Sequence, residues 1–571
     1  VKPAVPKKQN PGVARAPNEK KTGGNSMRTW LLALVVCVGV LSGAHTVSAE
    51  PVWRTAVTPN YRVFSQLSDR DTSEWMRGFD QFIFSTSDVL HLNLHAAPPL
   101  TVVIFAHDSD YEPYKPARPN GHVANVAGQF VRRSSWGMIC MAHDADSQQL
   151  HAILQHEATH WLMSSDPSPQ PAWFAEGIAE MFSTFELGVD TVNWAKPINA
   201  HLDLLRERGT LPLAPFLAEP SAIFDQDNRQ EIFYAQAWAF TDFLMLANKA
   251  ARRPQLVQFL NVFRTKSGEE AVKEVFGTDL TGIQKELAIY VDQRSFPYFT
   301  FPKKPAGPPP ALTAAAPVQV EASLGFLALG ASLSQLARQH AEKAIAIDDS
   351  DPGGHAVLAY LELDNRDMTK AAIHAEAALQ RGSKDSELFL IAGDSYMGGQ
   401  NADKPNATAT AVQYFENSIN VNPRSLEAFD RLAAALINLS TPRDEDGKFM
   451  DLGLKVFPTD DWLRVSKASM DYRLGQQTAA MTALDGVLQP GNHLDGPQEL
   501  YATGLRRHWL IGAMNVEIRA AMDKKDIGAT RALIAHYHEA LSDDSATQDY
   551  LNRLTKQLDD AENHKGKQRA N

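Results

Sequence analysis

The run His156-Glu157-Ala158-Thr159-His160 has residue types and spacing suited to metal chemistry. On a helix, residues four apart share one face, so both imidazoles can aim a ring nitrogen at one ion. Glu157 is one step round that helix, beside the ion without ligating it, which suits a base acting on a water held there. Catalytic zinc sites of this kind use three protein ligands and leave one position open. The segment Trp173-Phe174-Ala175-Glu176-Gly177-Ile178-Ala179-Glu180 supplies the third ligand. Fifteen residues separate His160 from Glu176 and nineteen separate it from Glu180, so Glu176 is the first candidate and Glu180 its rival.

Two helices must position these groups. Asp144, Asp146 and Ser147 offer caps and negative charge ahead of the first. Leu150, Ile153, Leu154, Trp161 and Leu162 recur at helical spacing along it. The three prolines at 167, 169 and 171 end it, and a second helix starting near Ala172 carries Glu176 and, one turn on, Glu180. The short Pro-rich link lets the second helix fold back so that a carboxylate closes the site.

The paired segments resemble the gluzincins, the peptidase MA-like zinc metallopeptidases, in which the histidine motif is followed by a Trp-[aromatic/Leu]-x-Glu-Gly-x-Ala segment. The resemblance implies an α+β zincin-like catalytic domain that binds Zn2+ through His156, His160 and Glu176. It also implies peptide-bond hydrolysis by a zinc-bound water, with Glu157 as general base. Glu180 falls where such proteins often hold a carboxylate that orients a ligating histidine, a role with a physical reason, since a held imidazole is a better ligand. Tyr234-Ala235-Gln236-Ala237-Trp238 resembles a segment that follows the zinc motif in bacterial zinc-peptidase-like proteins. Tyr234 would then hydrogen-bond the developing oxyanion; packing with Trp238 and Phe240 in a helical core is the alternative. His201, His122 and His107 are weaker candidates for the same task. A solvated polar helix face, or a metal site without activity, is the alternative for the motif itself.

At 571 residues the chain needs about three domains. Residues 1–26 are polar, without apolar periodicity, and read as an upstream extension. Residues 27–49 read as a signal peptide: Met27-Arg28, a short apolar core from Trp30 to Leu41, and small residues ending at Ala49. A retained membrane anchor is the alternative, although the apolar run is short for one. Residues 1–49 carry seven Lys or Arg against one Glu, so their loss takes the net charge from −12 to −18. An acidic chain argues against nucleic acid as partner. Of the two cysteines, Cys37 lies in the apolar run, which leaves Cys140 alone and no internal disulfide after cleavage. Export without disulfides fits a bacterial envelope, periplasmic or secreted.

Residues 50–296 form the expected catalytic domain. Residues 61–65 and 101–106 read as strands around a helix at 71–94. Residues 126–131 and 136–141 form a hairpin around Arg132-Arg133-Ser134-Ser135. The resemblance implies that an edge strand here pairs with an extended peptide substrate. Helices follow at 199–208 and 229–248. Residues 297–316 are a Pro-rich, semi-rigid linker and the main domain boundary. From 317 to 490 helix pairs recur with breaks near Asp351, Ser383, Asn422 and Pro458, in the mid-thirties. This period resembles degenerate tetratricopeptide repeats (TPR), an all-α solenoid that binds proteins or peptides. Residues 491–563 add about three helices, and 564–571 form a disordered polar tail. The expectation is an exported zinc metallopeptidase with a TPR-like accessory domain. The rival is a non-catalytic envelope scaffold with a structural or vestigial zinc site, and the motif also admits a hydrolase of non-peptide amides.

Overall fold

The computed structural model describes residues 52–116, 128–144, 147–165, 170–218, 229–264, 266–304, 307–439, 441 and 443–570. The chain divides into residues 1–50 and 51–571, and all described residues belong to the second unit. The expected signal peptide, the extension before it and His122 lie outside the described residues. Among those described, no helix is long and apolar enough to cross a membrane. The fold is mostly helical, with a small mixed sheet near its start.

The chain opens with β1 (Arg54–Val57), β2 (Tyr61–Ser65), α1 (Asp69–Leu90), β3 (Leu100–Phe105) and a single turn, α2 (Asp108–Tyr111). The hairpin β4 (Gly128–Arg132) and β5 (Gly137–Ala142) follows, then α3 (Ser147–Met163) and α4 (Ala172–Phe182). A second sheet begins with β6 (Glu186–Leu187) and β7 (Thr191–Trp194). After it come α5 (Asn199–Arg208), α6 (Leu213–Leu217), α7 (Arg229–Ala250), α8 (Arg253–Phe263), α9 (Gly268–Phe276) and α10 (Leu280–Val291). The Pro-rich segment contributes β8 (Phe299–Pro302) and β9 (Thr313–Ala314).

The main sheet runs β4-β5-β3-β2-β1-β9. β2, β3 and β5 are mutually parallel, and β4 is antiparallel to β5 at one edge. Strand period puts Val63, Val102, Ile104, Ile139 and Met141 on one face, packed with Leu154, Ala158, Trp161 and Leu162 of α3. Phe64, Val103, Phe105, Met138 and Cys140 take the opposite face. Every residue of β5 is buried, as expected of a strand covered on both sides.

The second face is covered by helices from beyond the expected domain boundary. Phe64, Val103, Phe105 and Cys140 share one core with Leu324, Leu327, Val357, Tyr360 and Leu361 of the helix pairs. The segment between 297 and 316, read as a semi-rigid linker, contributes a strand to each sheet. β8 pairs with β7, and β9 with β1 in the register Arg54↔Ala314 and Thr55↔Thr313. Proline suits such short edge pairings because it need not donate to a ladder.

The helix pairs are α11 (Pro317–Gly330) with α12 (Ser334–Ile347), α13 (Gly353–Asp364) with α14 (Met368–Gln380), and α15 (Ser386–Met397) with α16 (Ala407–Val421). α17 (Leu426–Asn438) with α18 (Asp444–Val456) and α19 (Asp461–Arg473) with α20 (Gln477–Val487) continue the stack. Ala359, Ala371, Ala372 and Ala375 are fully or almost fully buried, which lets neighbouring helices approach closely. The second residue beyond the first helix of a pair is left-handed at Ser332, Arg366 and Gly475, a recurrent turn that marks the repeat. α21 (Gly496–Asp523), α22 (Ile527–Ala540) and α23 (Ser545–Ala570) complete the chain. The expected disordered tail from His564 continues α23 instead, its Lys, Gln, Arg and Ala being good helix formers.

Candidate metal centre

α3 and α4 bring three donors to one point. The Nε2 atoms of His156 and His160 are 3.1 Å apart. Oε2 of Glu176 is 3.3 Å from Nε2 of His156 and 3.4 Å from Nε2 of His160. Donors about 2.0–2.1 Å from a tetrahedral ion lie about 3.3 Å from one another, so this triangle has the edges that a zinc ion requires. The donor chemistry fits as well, two imidazoles and a carboxylate. Among the described residues, no fourth His, Cys, Asp or Glu joins the cluster.

Glu180 is not in this triangle. One of its oxygens is 3.4 Å from Nδ1 of His156, and the other is 3.2 Å from Nε2 of His201. His201, on α5, therefore stands behind Glu180. Sequence reasoning named His201 as a possible oxyanion donor and missed this partnership, because nothing local links a residue of α5 to α4. His107 pairs with Asp144 at 3.4 Å, beyond the C-terminal end of β3.

The polar groups are partly withdrawn from water, and their proton affinities follow. Burial opposes ionisation of Glu176, but hydrogen bonds from His156 and His160 outweigh it and hold its pKa at about 2. Burial pushes Glu157 above the usual carboxyl range, opposed by the fields of His156 and His160 and, more weakly, Arg132. That combination suits a proton acceptor. Tyr234, on α7, is half-buried, and its ring centroid is 6.5 Å from that of His156. Burial, followed by the charge of Glu176, raises its pKa and keeps it a hydrogen-bond donor. Trp238 and Phe240, further along α7, are fully buried in the core.

The mounting of Glu176 has a steric cause. α4 crosses α7 at Gly177, where a methyl group would overlap the carbonyl oxygen of Ala237 and the hydroxyl of Thr241. Close backbone approach at that crossing holds the neighbouring Glu176 over α3. β4 packs beside α3 at the edge of the sheet, with Arg132 at its end.

No protein-family model matches this sequence, and no curated protein matches it significantly. Solved structures of TPR proteins match it in part. YrrB, described as a TPR protein with an unusual peptide-binding site, is 17% identical over 32% of this chain and 90% of its own, with a TM-score of 0.27. PilF of Pseudomonas aeruginosa is 15% identical over 42% of this chain and 97% of its own, with a TM-score of 0.23. PilW, a type IV pilus biogenesis factor, is 14% identical over 42% of this chain and 100% of its own, with a TM-score of 0.22. At such scores, the TPR-like description of residues 317–487 rests on the helix pairs and their recurrent turns.

Proposed function

We propose that this chain is an exported zinc-dependent metallopeptidase carrying a TPR-like module for protein or peptide binding. The observation that carries the reading is the triangle of His156, His160 and Glu176, with edges of 3.1–3.4 Å and no fourth protein donor among the described residues. A zinc ion held there would acidify a water molecule and polarise the substrate carbonyl. Glu157 accepts the proton of the attacking water as the C–O bond forms, then delivers it to the amine as the C–N bond breaks. Tyr234 donates a hydrogen bond to the carbonyl oxygen as its charge grows. Glu180, through Nδ1, keeps His156 turned towards the ion. The outer edge of β4, unpaired among the described residues, offers backbone groups to an extended peptide. Export to a bacterial envelope belongs to this reading through the basic, apolar and small-residue pattern of residues 27–49.

The test is metal content together with cleavage. The purified chain should hold about one zinc and cleave unfolded protein. Glu157→Gln should keep the metal and lose about 10²–10⁴-fold in rate, while His160→Ala should lose the metal. A Gln variant as fast as wild type, or unchanged zinc in the Ala variant, overturns the assignment.

A second reading is a non-catalytic envelope scaffold whose zinc site is structural. It is favoured by the extent of the helix pairs and by their fusion to the sheet through a shared core. It predicts bound zinc without hydrolysis of any peptide.

A further inference from the structure

A cleft of about 1180 Å³ opens where the N-terminal ends of β2, β3 and β5 meet the loops ahead of α13, α15 and α17. It exceeds the usual size of a small-molecule pocket and suits a stretch of polypeptide. Its charge is one-sided. Arg62, Arg132 and Lys384 line it, are exposed, and form no salt bridge among the described residues. Arg424 also lines it, and among the described residues its guanidinium donates to a backbone oxygen, that of Ser165. The two carboxylates on its wall are engaged. Asp385 accepts from Tyr360 at 2.6 Å and is driven towards its neutral form by burial, while Glu427 pairs with Arg431 at 2.8 Å. The first turns of three helices, α13, α15 and α17, reach the same wall and add positive potential.

We propose that this cleft binds the acidic portion of an extended peptide. Four cations that form no salt bridge among the described residues line one cleft in a chain whose net charge is −12, an arrangement with a clear electrostatic use. A short acidic segment gains this local field. A nucleic acid, charged along its whole length, would meet the acidic remainder of the molecule.

The cleft adjoins the metal centre. Ser164, just beyond the end of α3 and one turn past His160, lines it, and Arg424 fastens the loop ahead of α17 to Ser165 beside it. Arg132 ends β4, and its charge reaches Glu157. A peptide laid along the outer edge of β4 would pass Arg132 and enter the cleft. For a hydrolase, this makes acidic residues on one side of the cleaved bond the specificity signal. That step rests on the metallopeptidase reading, whereas the binding itself does not.

The test is binding of fluorescein-labelled decapeptides to the full chain in EDTA, followed by anisotropy. One peptide carries alternating Glu, and its control has Gln at the same positions. The Glu peptide should bind at least about tenfold more tightly and weaken as salt is raised. Arg62→Glu combined with Lys384→Glu should abolish that preference, and unchanged far-UV circular dichroism would show that both exposed charge reversals leave the fold intact. Equal affinity for the two peptides overturns the proposal. So does a preference that survives the double variant, or displacement of the Glu peptide by a single-stranded oligonucleotide of equal length at lower concentration. Because the chelator excludes metal and cleavage, failure here leaves the hydrolase reading standing, and absent hydrolysis leaves the binding result standing.

Discussion

Glu180 bridges His156 and His201, with one oxygen 3.4 Å from Nδ1 of His156 and the other 3.2 Å from Nε2 of His201. A neutral imidazole that donates from Nδ1 must present Nε2 as a lone pair, and Nε2 of His156 is the atom that faces Glu176 and His160. Glu180 thus fixes both the tautomer and the ring plane of His156. Glu180→Ala should weaken zinc binding by about 10–100-fold, measured by competition with a chromophoric chelator. Glu180→Gln, which keeps an acceptor oxygen, should recover part of the loss. Wild-type affinity in the Ala variant would remove Glu180 from the site.

Gly177 supports Glu176 from the other side. A methyl group at Gly177 would overlap the Ala237 carbonyl oxygen and the Thr241 hydroxyl, so Gly177→Ala must push α4 away from α7. Overpacking of this kind costs about 1–3 kcal/mol. The displaced helix carries Glu176, so zinc affinity should fall in the same variant. A thermal melt and a zinc titration check both, and a destabilised variant with wild-type affinity would separate the crossing from the ligand.

The meeting of His156, His160 and Glu176 was legible because its geometry is local: His156 and His160 need only a helix, and Glu176 only a second helix folded back on it. Much of the repeat region was legible for a related reason. Asp367 and Asp385 cap their helices within three residues of the groups they satisfy, so Met368–Gln380 and Ser386–Met397 could be read from sequence. Long-range pairings were not. Nothing near Arg54 announces Ala314, and nothing near Phe64 or Cys140 announces Leu327 and Tyr360. α18 (Asp444–Val456) was missed because its acidic first turn and its glycines 447 and 453 dilute the apolar stripe. The basic cleft was invisible for the same reason as the shared core: Arg62, Lys384 and Arg424 meet only in the fold.

Asp242 gives the fold a pH dependence away from the metal site. It is 1% exposed, accepts a hydrogen bond from Tyr290 at 2.5 Å, and burial pushes its pKa up to about 7. Unfolded, it titrates near the ordinary value of 3.8. Between those two values the native chain binds more protons than the unfolded chain, so stability falls as pH rises from about 4 to about 7 and then levels. Asp242→Asn keeps an acceptor for Tyr290 and cannot ionise. Its melting temperature should exceed that of wild type at about pH 8, and the difference should vanish by about pH 4. A pH-independent difference would contradict the assignment.

The core shared by sheet and repeats predicts that the two unfold together. Leu327 of α11 is fully buried in the cluster that contains Phe64, Val103 and Cys140. Gly330, at the end of the same helix, lies so close to β4 that a methyl group there would overlap the Val131 side chain. Leu327→Ala removes contacts to both parts at once and should cost about 2–5 kcal/mol. In a denaturant titration, tryptophan emission, which on the sheet side includes the buried Trp161, Trp173, Trp194 and Trp238, should shift its midpoint. Helical ellipticity, whose larger share comes from the helices beyond Pro317, should shift with it, because a single cooperative unit has one transition. If ellipticity moved while emission stayed at its wild-type midpoint, the repeats would be an independently folding appendage, and their contact with β4 would not act on the metal centre.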